Sequence, residues 1–264
     1  MTTLEVRDVS VERSGRMILS QSSITTQTGE LVALVGPNGS GKSTLLRVMA
    51  GVWQANAGSV LLGGQTLSSK SRHEVARRIA LVPQDTHVDF DFTVGEIVSM
   101  GRYPHRRRFE AETAVDRKAV QAAARHCDIV DLLDRSISTL SGGERQRALI
   151  ARSLAVQPEF ILLDEPTASL DIEHTLEVME LSQSLVSAGH SVILATHDLN
   201  LAFRYATRIA LLHSGRIVSN GPPNEVLMTD SLDKTFNVHA ERIKTGTDSY
   251  IFNFFSDRKN SRFN

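Results

Sequence analysis

The stretch Gly36-Pro37-Asn38-Gly39-Ser40-Gly41-Lys42-Ser43-Thr44 constrains this chain more than any other, because it fits G-x-x-x-x-G-K-[ST] between an apolar strand-length run, LVALV, and the helical pattern STLLRVMA. Glycines in such a turn let backbone N–H groups point inward, and the helix that follows adds its partial positive charge, so the segment predicts a cradle for a polyphosphate. In that cradle Lys42 reaches the β- and γ-phosphates and Ser43 is a Mg²⁺ ligand. An accidental match in a chain of this length would arise on the order of once per hundred sequences.

The apolar runs LVALV, IALVPQ, FILLDE, VILATHD and IALL recur between segments of helical character, as buried parallel strands of an α/β sheet do. Two other places read as antiparallel hairpins: one turns at Ser14-Gly15, the other at Ser214-Gly215. Strand signals fade over 93–134, where charges alternate with Ala, Val, Ile and Leu, which predicts a helical insert. No repeat or Gly/Ser-rich linker divides the chain, so we expect one domain over 1–255 with a helical subdomain at about 93–157 and a polar frayed tail at 256–264. A formal net charge of −1 supplies no global field for nucleic acid or anionic lipid. Cys127, the single cysteine, cannot form an internal disulfide and reads as a small helix residue. Charges at Glu5, Arg7 and Asp8 interrupt any signal-peptide pattern, and no run of 18 apolar residues occurs, so a membrane role would need another chain to span.

Two further motifs bear on the chemistry. Phe160-Ile161-Leu162-Leu163-Asp164-Glu165 is an apolar strand ending in two acids: Asp164 is placed to hold Mg²⁺ through water, and Glu165 to orient and polarise an attacking water. Leu140-Ser141-Gly142-Gly143-Glu144-Arg145-Gln146-Arg147 has Ser141 capping a helix while Gly142 and Gly143 leave N–H groups bare, a second anion site distinct from the first. Two phosphate-binding surfaces on one chain suggest pairing of two chains.

With these residues in order, the chain resembles the nucleotide-binding subunits of ABC transporters, a P-loop NTPase fold with a mainly parallel core sheet flanked by helices, an antiparallel β subdomain and a helical subdomain. Residues 36–44 look like its Walker A motif, Gln84 like the Q-loop glutamine, 140–144 like the ABC signature, and 160–165 like Walker B. Ala168-Ser169-Leu170-Asp171 resembles the D-loop, and His197 the switch histidine. The resemblance implies a head-to-tail dimer in which ATP on Lys42 of one copy meets Ser141 and Gly143 of the other. Glu165 then acts as general base, His197 contacts the γ-phosphate, Gln84 senses it beside Mg²⁺, and Asp171 aligns the dimer. The other histidines, among them His105, His126, His174, His190 and His213, show no metal-ligand spacing and read as surface or structural residues.

One position departs from the pattern. The family usually places an aromatic before the second strand to stack on adenine, and here Arg13 stands there. Its planar guanidinium either stacks on the base in place of the ring or is an exposed edge residue that leaves the base loosely held. The segment VPQDTHVDFDFTVGEIVSMGRYPH is similar to ATPases of importers of iron–siderophore complexes, haem and cobalamin. Its Phe90, Phe92, Val94 and Met100 are candidates for a permease-facing groove or, equally, for core; Arg102, Arg106, Arg107 and Arg108 form a basic run read as a solvated loop or as a contact to acidic permease residues or lipid. The resemblance implies a permease, an external substrate-binding protein, and a place on the cytoplasmic face of the membrane, with no direct nucleic-acid contact. The other class considered is a soluble ABC ATPase acting on nucleic acid or ribosomes, which the single set of motifs and the absence of net basic charge disfavour.

Overall fold

The chain begins with β1 (Thr3–Arg13) and β2 (Arg16–Gln27), the hairpin expected around Ser14-Gly15, then β3 (Leu31–Val35) and α1 (Lys42–Met49). The computed structural model describes residues 1–84, 91–107, 110–227, 232, 235–236, 238–245 and 250–256. After α1 come β4 (Ala57–Leu62), β5 (Gln65–Thr66), α2 (Arg72–Arg78) and β6 (Ile79–Val82), followed by α3 (Val94–Ser99), α4 (Ala114–His126) and α5 (Gly142–Ala155). The chain continues through β7 (Phe160–Asp164), α6 (Ile172–Ser187), β8 (Ser191–Thr196), α7 (Leu199–Tyr205), β9 (Arg208–His213), β10 (Arg216–Gly221) and α8 (Pro223–Val226). A last hairpin, β11 (Val238–Lys244) and β12 (Tyr250–Ser256), has no counterpart in the sequence reading.

The apolar runs form one sheet in the order β10-β9-β3-β8-β7-β6, parallel throughout except for β10 on the edge. All five residues of β3 and of β7 are buried, because both sheet faces are covered. Phe160 and Leu162 point into a core shared with Leu45, Leu46 and Met49 of α1 and with Leu4 and Val6 of β1. Ile161 and Leu163 point the other way, against Ile150 of α5 and Val178 and Leu185 of α6. The second sheet, β2-β1-β4-β5, is antiparallel and closes over α1. Its junction with the first is the Ser214-Gly215 turn: Ser20 N–H and Ser22 Oγ both donate to Gly215 O, at 2.9 and 2.6 Å, while Gly215 N–H donates to Ser40 O at 3.0 Å.

Between β6 and β7 the described residues are helical, and α5 packs on both α3 and α4. α4 ends at Cys127, where Asp128 turns to a φ of 52°. Burial pushes the Cys127 thiol up to about 12, leaving it inert rather than redox-active. One open choice is decided here and one expectation changes. Val94 is fully buried in the core, whereas Phe92 and Met100 are half-buried and line an open groove with Tyr103, Glu112 and Arg117. Arg102 is no surface cation: it is 3% exposed, and its guanidinium donates to Asp116 Oδ1 at 2.9 Å and to Ala155 O at 2.7 Å. Phe90, Arg108 and residues 257–264 of the polar tail lie outside the described residues.

The Asp116 carboxylate also closes a capping box with Thr113, whose hydroxyl and N–H, together with Arg102, hold its pKa well below the usual carboxylate range. A depressed folded-state pKa contributes stability that is complete above about pH 4 and erodes as pH falls below it. Removing one partner of a buried pair strands the other, so D116A should lose about 3 kcal/mol in urea unfolding, whereas R102M/D116L should recover most of that loss.

Candidate active site

The register of the parallel sheet brings the motifs to one edge. Val35 pairs with Thr196, Asp164 with Ala195, and Val82 with Leu163, so Gly36, His197, Glu165 and Gln84 all leave neighbouring strands at their carboxyl ends. Ligands of open parallel sheets bind at this edge, because the helices that follow the strands begin there.

The 36–44 turn is held in a shape that only small residues allow. A β-carbon at Gly36 would lie 2.2 Å from Leu212 O and 2.7 Å from Ser40 Oγ, so the main chain passes flush against β9. Gly41, at the N-terminus of α1, has a φ of 107°, a conformation L side chains rarely adopt. Helices α2 to α7 each receive a side-chain cap, from Ser71, Thr93, Thr113, Ser141, Asp171 and Asp198. α1 has none and carries no acid in its first turn. Its free N–H groups and dipole therefore remain directed at the 36–44 turn, which suits a phosphate. Ser40 Oγ is buried without a hydrogen-bond partner in the same turn.

Lys42 is 5% exposed, and its ammonium donates to Gly36 O at 2.9 Å and to Pro37 O at 3.3 Å. It also lies 3.5 Å from Glu165 Oε1, while the other Glu165 oxygen is 3.3 Å from His197 Nδ1. Glu165 thus links a buried cation on the cradle to the exposed ring of His197. Its backbone has a φ of 49°, a left-handed conformation costing about 1 kcal/mol, stabilised by donation from its own N–H to Ala195 O at 3.1 Å. That bend turns the side chain away from the strand direction and towards Lys42.

Ser43 Oγ donates to Asp164 Oδ1 at 2.8 Å. Burial pushes the Asp164 carboxyl above its ordinary pKa, opposed by the Ser43 hydrogen bond and the Arg47 charge. A hydroxyl and a buried carboxylate in contact are hard oxygen donors of the kind Mg²⁺ takes, with its remaining positions left to water and phosphate oxygens. Among the described residues no cluster of three or more His, Cys, Asp or Glu side chains could act as a protein-only cage. The donor set therefore fits Mg²⁺ held jointly with a polyphosphate.

The second glycine turn is built differently. Ser141 Oγ accepts from Glu144 N–H at 3.2 Å, and Glu144 Oε2 accepts from Ser141 N–H at 2.8 Å. The Ser141 N–H is thereby occupied, and that bond together with the Ser141 side chain holds the Glu144 carboxyl below its ordinary pKa. Asp171 caps α6, accepting from His174 N–H at 2.9 Å. His105, His126 and His190 make structural hydrogen bonds to Val156 O, Ser184 Oγ and Pro158 O.

Arg13 is exposed, and its guanidinium lies 4.7 Å from the ring centroid of Trp53. Arg47 of α1 covers the same ring at 5.0 Å. The aromatic partner at this corner is thus a loop residue after α1, which a reading restricted to the first strand misses. The only signal for it is that Trp53 is the single tryptophan of the chain.

A family model described as ABC transporter matches residues 19–168. The cobalamin import ATP-binding protein of Halobacterium salinarum is 42% identical over 247 residues, 93% of this chain and 61% of that protein. The hemin import ATP-binding protein of Rhodococcus jostii is 42% identical over 242 residues, 92% of this chain and 82% of that one. Among solved structures, an inward-facing conformation assigned to the metal-chelate type of ABC transporter has a TM-score of 0.83 at 27% identity, over 96% of this chain and 97% of that chain.

If Trp53 holds Arg13 as a platform for a purine, both R13A and W53A should weaken ATP about fivefold in calorimetric titration, and leave inorganic pyrophosphate unchanged. Equal loss for both ligands would assign Arg13 to the phosphates instead.

Proposed function

Because this chain belongs to the ABC transporter family, we propose that it binds and hydrolyses ATP to drive a separate permease that imports a metal chelate of the iron–siderophore, haem or cobalamin class. The observation that carries this reading is the convergence of Lys42, the Ser43–Asp164 pair, Glu165 and His197 at one sheet edge, opposite an uncapped helix N-terminus. The relatives named for cobalamin and hemin import support the cargo class; the helical insert and its open groove support the permease contact. No helix of the described residues is long and apolar enough to cross a membrane, which accords with a subunit attached through its permease at the cytoplasmic face.

In this reading Gly36, Asn38, Gly39 and Gly41 wrap the phosphates with backbone N–H groups, Ser40 adds its unpartnered hydroxyl, Pro37, which has no N–H, shapes the turn, and Thr44 follows at the start of α1. Lys42 moves its ammonium from the Gly36 and Pro37 carbonyls to the terminal phosphates. Ser43 and Asp164, with Gln84 at the end of the neighbouring strand, would hold Mg²⁺, which would neutralise charge on the phosphate oxygens. Glu165 accepts a proton from the attacking water, and His197 fixes the carboxylate from the other side and reaches the γ-phosphate.

A second copy completes the site. Ser141 donates its hydroxyl proton, and Gly142 and Gly143 their N–H groups, to the γ-phosphate held by the partner, while Asp171 sets the register of the pair. ATP then closes the dimer and hydrolysis opens it. The segment at about 93–157 carries this motion to the permease through the groove beside Phe92 and Met100, and an external binding protein delivers the chelate.

E165Q should bind ATP with little change, lose at least about a hundredfold in kcat, and accumulate an ATP-dependent dimer in size-exclusion chromatography; turnover at the parent rate would remove Glu165 from the mechanism. K42A should weaken ATP by roughly 10- to 100-fold. S141R should abolish hydrolysis while the single chain keeps its ATP affinity within about twofold, since the bulk and charge act only across the dimer. Isolation from the native membrane with a polytopic permease is the expected outcome for the transport role, and reproducible recovery with ribosomes or nucleic acid instead would overturn it.

A further inference from the structure

His174, in the first turn of α6, touches both loops that the proposed dimer presents to its second copy. A β-carbon placed on Gly143 would lie 1.9 Å from His174 Cδ2 and 2.4 Å from its Cγ, so the imidazole is packed directly on the glycine backbone. The same ring shares a hydrogen bond with Asp171, Nδ1 to Oδ1 at 2.6 Å, and that carboxylate oxygen also accepts from the His174 N–H at 2.9 Å. Leu170, just before Asp171, stands 3.2 Å from where a β-carbon on Gly142 would be. Farther along the same two helices, Arg147 of α5 pairs with Glu177 of α6.

The N-termini of α5 and α6 are therefore not independent. The close approach at Gly143 is possible only for glycine, and the object that excludes every other side chain is the His174 ring. The ring can donate Nδ1–H to the carboxylate in either its neutral or its protonated form, so the link does not depend on one charge state. Asp171 is exposed, with its side chain 64% accessible, and without this bond it would keep only the backbone cap to orient it.

We propose that His174 is a positioning residue that locks the Gly142-Gly143 turn and Asp171 into one block, so that a single ring sets the geometry of both surfaces offered to the second copy. This inference rests on the head-to-tail dimer proposed above. His174 bonds to Asp171 and packs on Gly143, and among the described residues it has no hydrogen bond or ion pair to the 36–44 turn, Asp164, Glu165 or His197. Its removal should then weaken pairing and turnover without weakening ATP binding to one chain. A purely structural residue would instead lower ATP affinity and stability together.

The test is done on the full chain in the E165Q background at saturating Mg²⁺ and ATP, measuring the dimer dissociation constant by analytical ultracentrifugation and the ATP affinity of the monomer by calorimetry. H174A should weaken the dimer about tenfold and change monomer ATP affinity by less than about twofold. H174N, which keeps a donor near Asp171, and H174F, which keeps a ring on Gly143, should each recover only part of the loss. Dimerisation of H174A at the parent strength overturns the proposal, as does parallel loss of monomer ATP affinity. Full recovery by either H174N or H174F also overturns it, because one contact would then suffice. Should H174A fail to fold, H174N and H174F decide: parent-like pairing by either one overturns the proposal, and weakening of both supports it. If the E165Q parent stays monomeric under saturating Mg²⁺ and ATP, the head-to-tail reading fails, and the role of His174 falls with it for that separate reason.

Discussion

The helix that begins at Lys42 has no side-chain cap and no acid in its first turn, and the rest of the site is arranged around that unsatisfied positive end. A helix terminus left this way costs stability unless something accepts its N–H groups. The surrounding structure tolerates it because the turn is clamped from outside: Gly36 lies flush against the Leu212 carbonyl, and Ser40 O accepts from Gly215 N–H. The Ser214-Gly215 turn in turn ties the antiparallel sheet to the parallel one through Ser20 and Ser22. The 36–44 turn is thus the point at which both sheets and α1 meet.

The two glycine turns solve opposite problems. At 36–44 the N–H groups are left to a ligand, and a buried lysine balances its charge. At 141–143 a capping box already satisfies one N–H, Gly143 is buried under the His174 ring, and Ser141 and Gly142 are the exposed part of the turn. The first contacts Asp164 and Glu165 of its own chain, whereas the second leaves Ser141 and Gly142 exposed. That asymmetry is what a site divided between two copies requires. Glu165 stands between them in function, because its left-handed backbone aims the carboxylate at Lys42 and His197 rather than along the sheet.

Much of the fold was legible in sequence because it rests on local rules. Five apolar runs became five adjacent parallel strands, and the Ser14-Gly15 and Ser214-Gly215 turns became the two hairpins expected. What escaped was decided by contacts distant in sequence. Arg102 read as part of a basic surface run, yet Asp116 and the Ala155 carbonyl draw it into the core, where its charge is matched. Val94, the first residue of α3, is core, while Phe92 just before that helix and Met100 just after it line a groove. The final hairpin was missed because β11 and β12 carry no clear alternation; its place follows from Phe203, which packs edge-on against Phe252 at 5.2 Å, and from Asn200, whose side chain pairs with the Phe252 backbone.

By itself the sequence carried the proposed chemistry: a glycine turn ending in Lys-Ser, a strand ending in Asp-Glu, a Ser-Gly-Gly turn and a histidine after a strand are the residues to which we assign phosphate binding, Mg²⁺ and water activation, because each assignment depends on residue type and short-range geometry. Tertiary structure decided how those parts meet. Only the strand register sets Lys42 and His197 on opposite oxygens of Glu165, only packing of the loop after α1 places Trp53 on Arg13, and only the approach of two helix ends seats His174 on Gly143. Each of these is a contact between segments whose spacing along the chain carries no signature, so it exists only once burial of the shared core has fixed where the backbones lie.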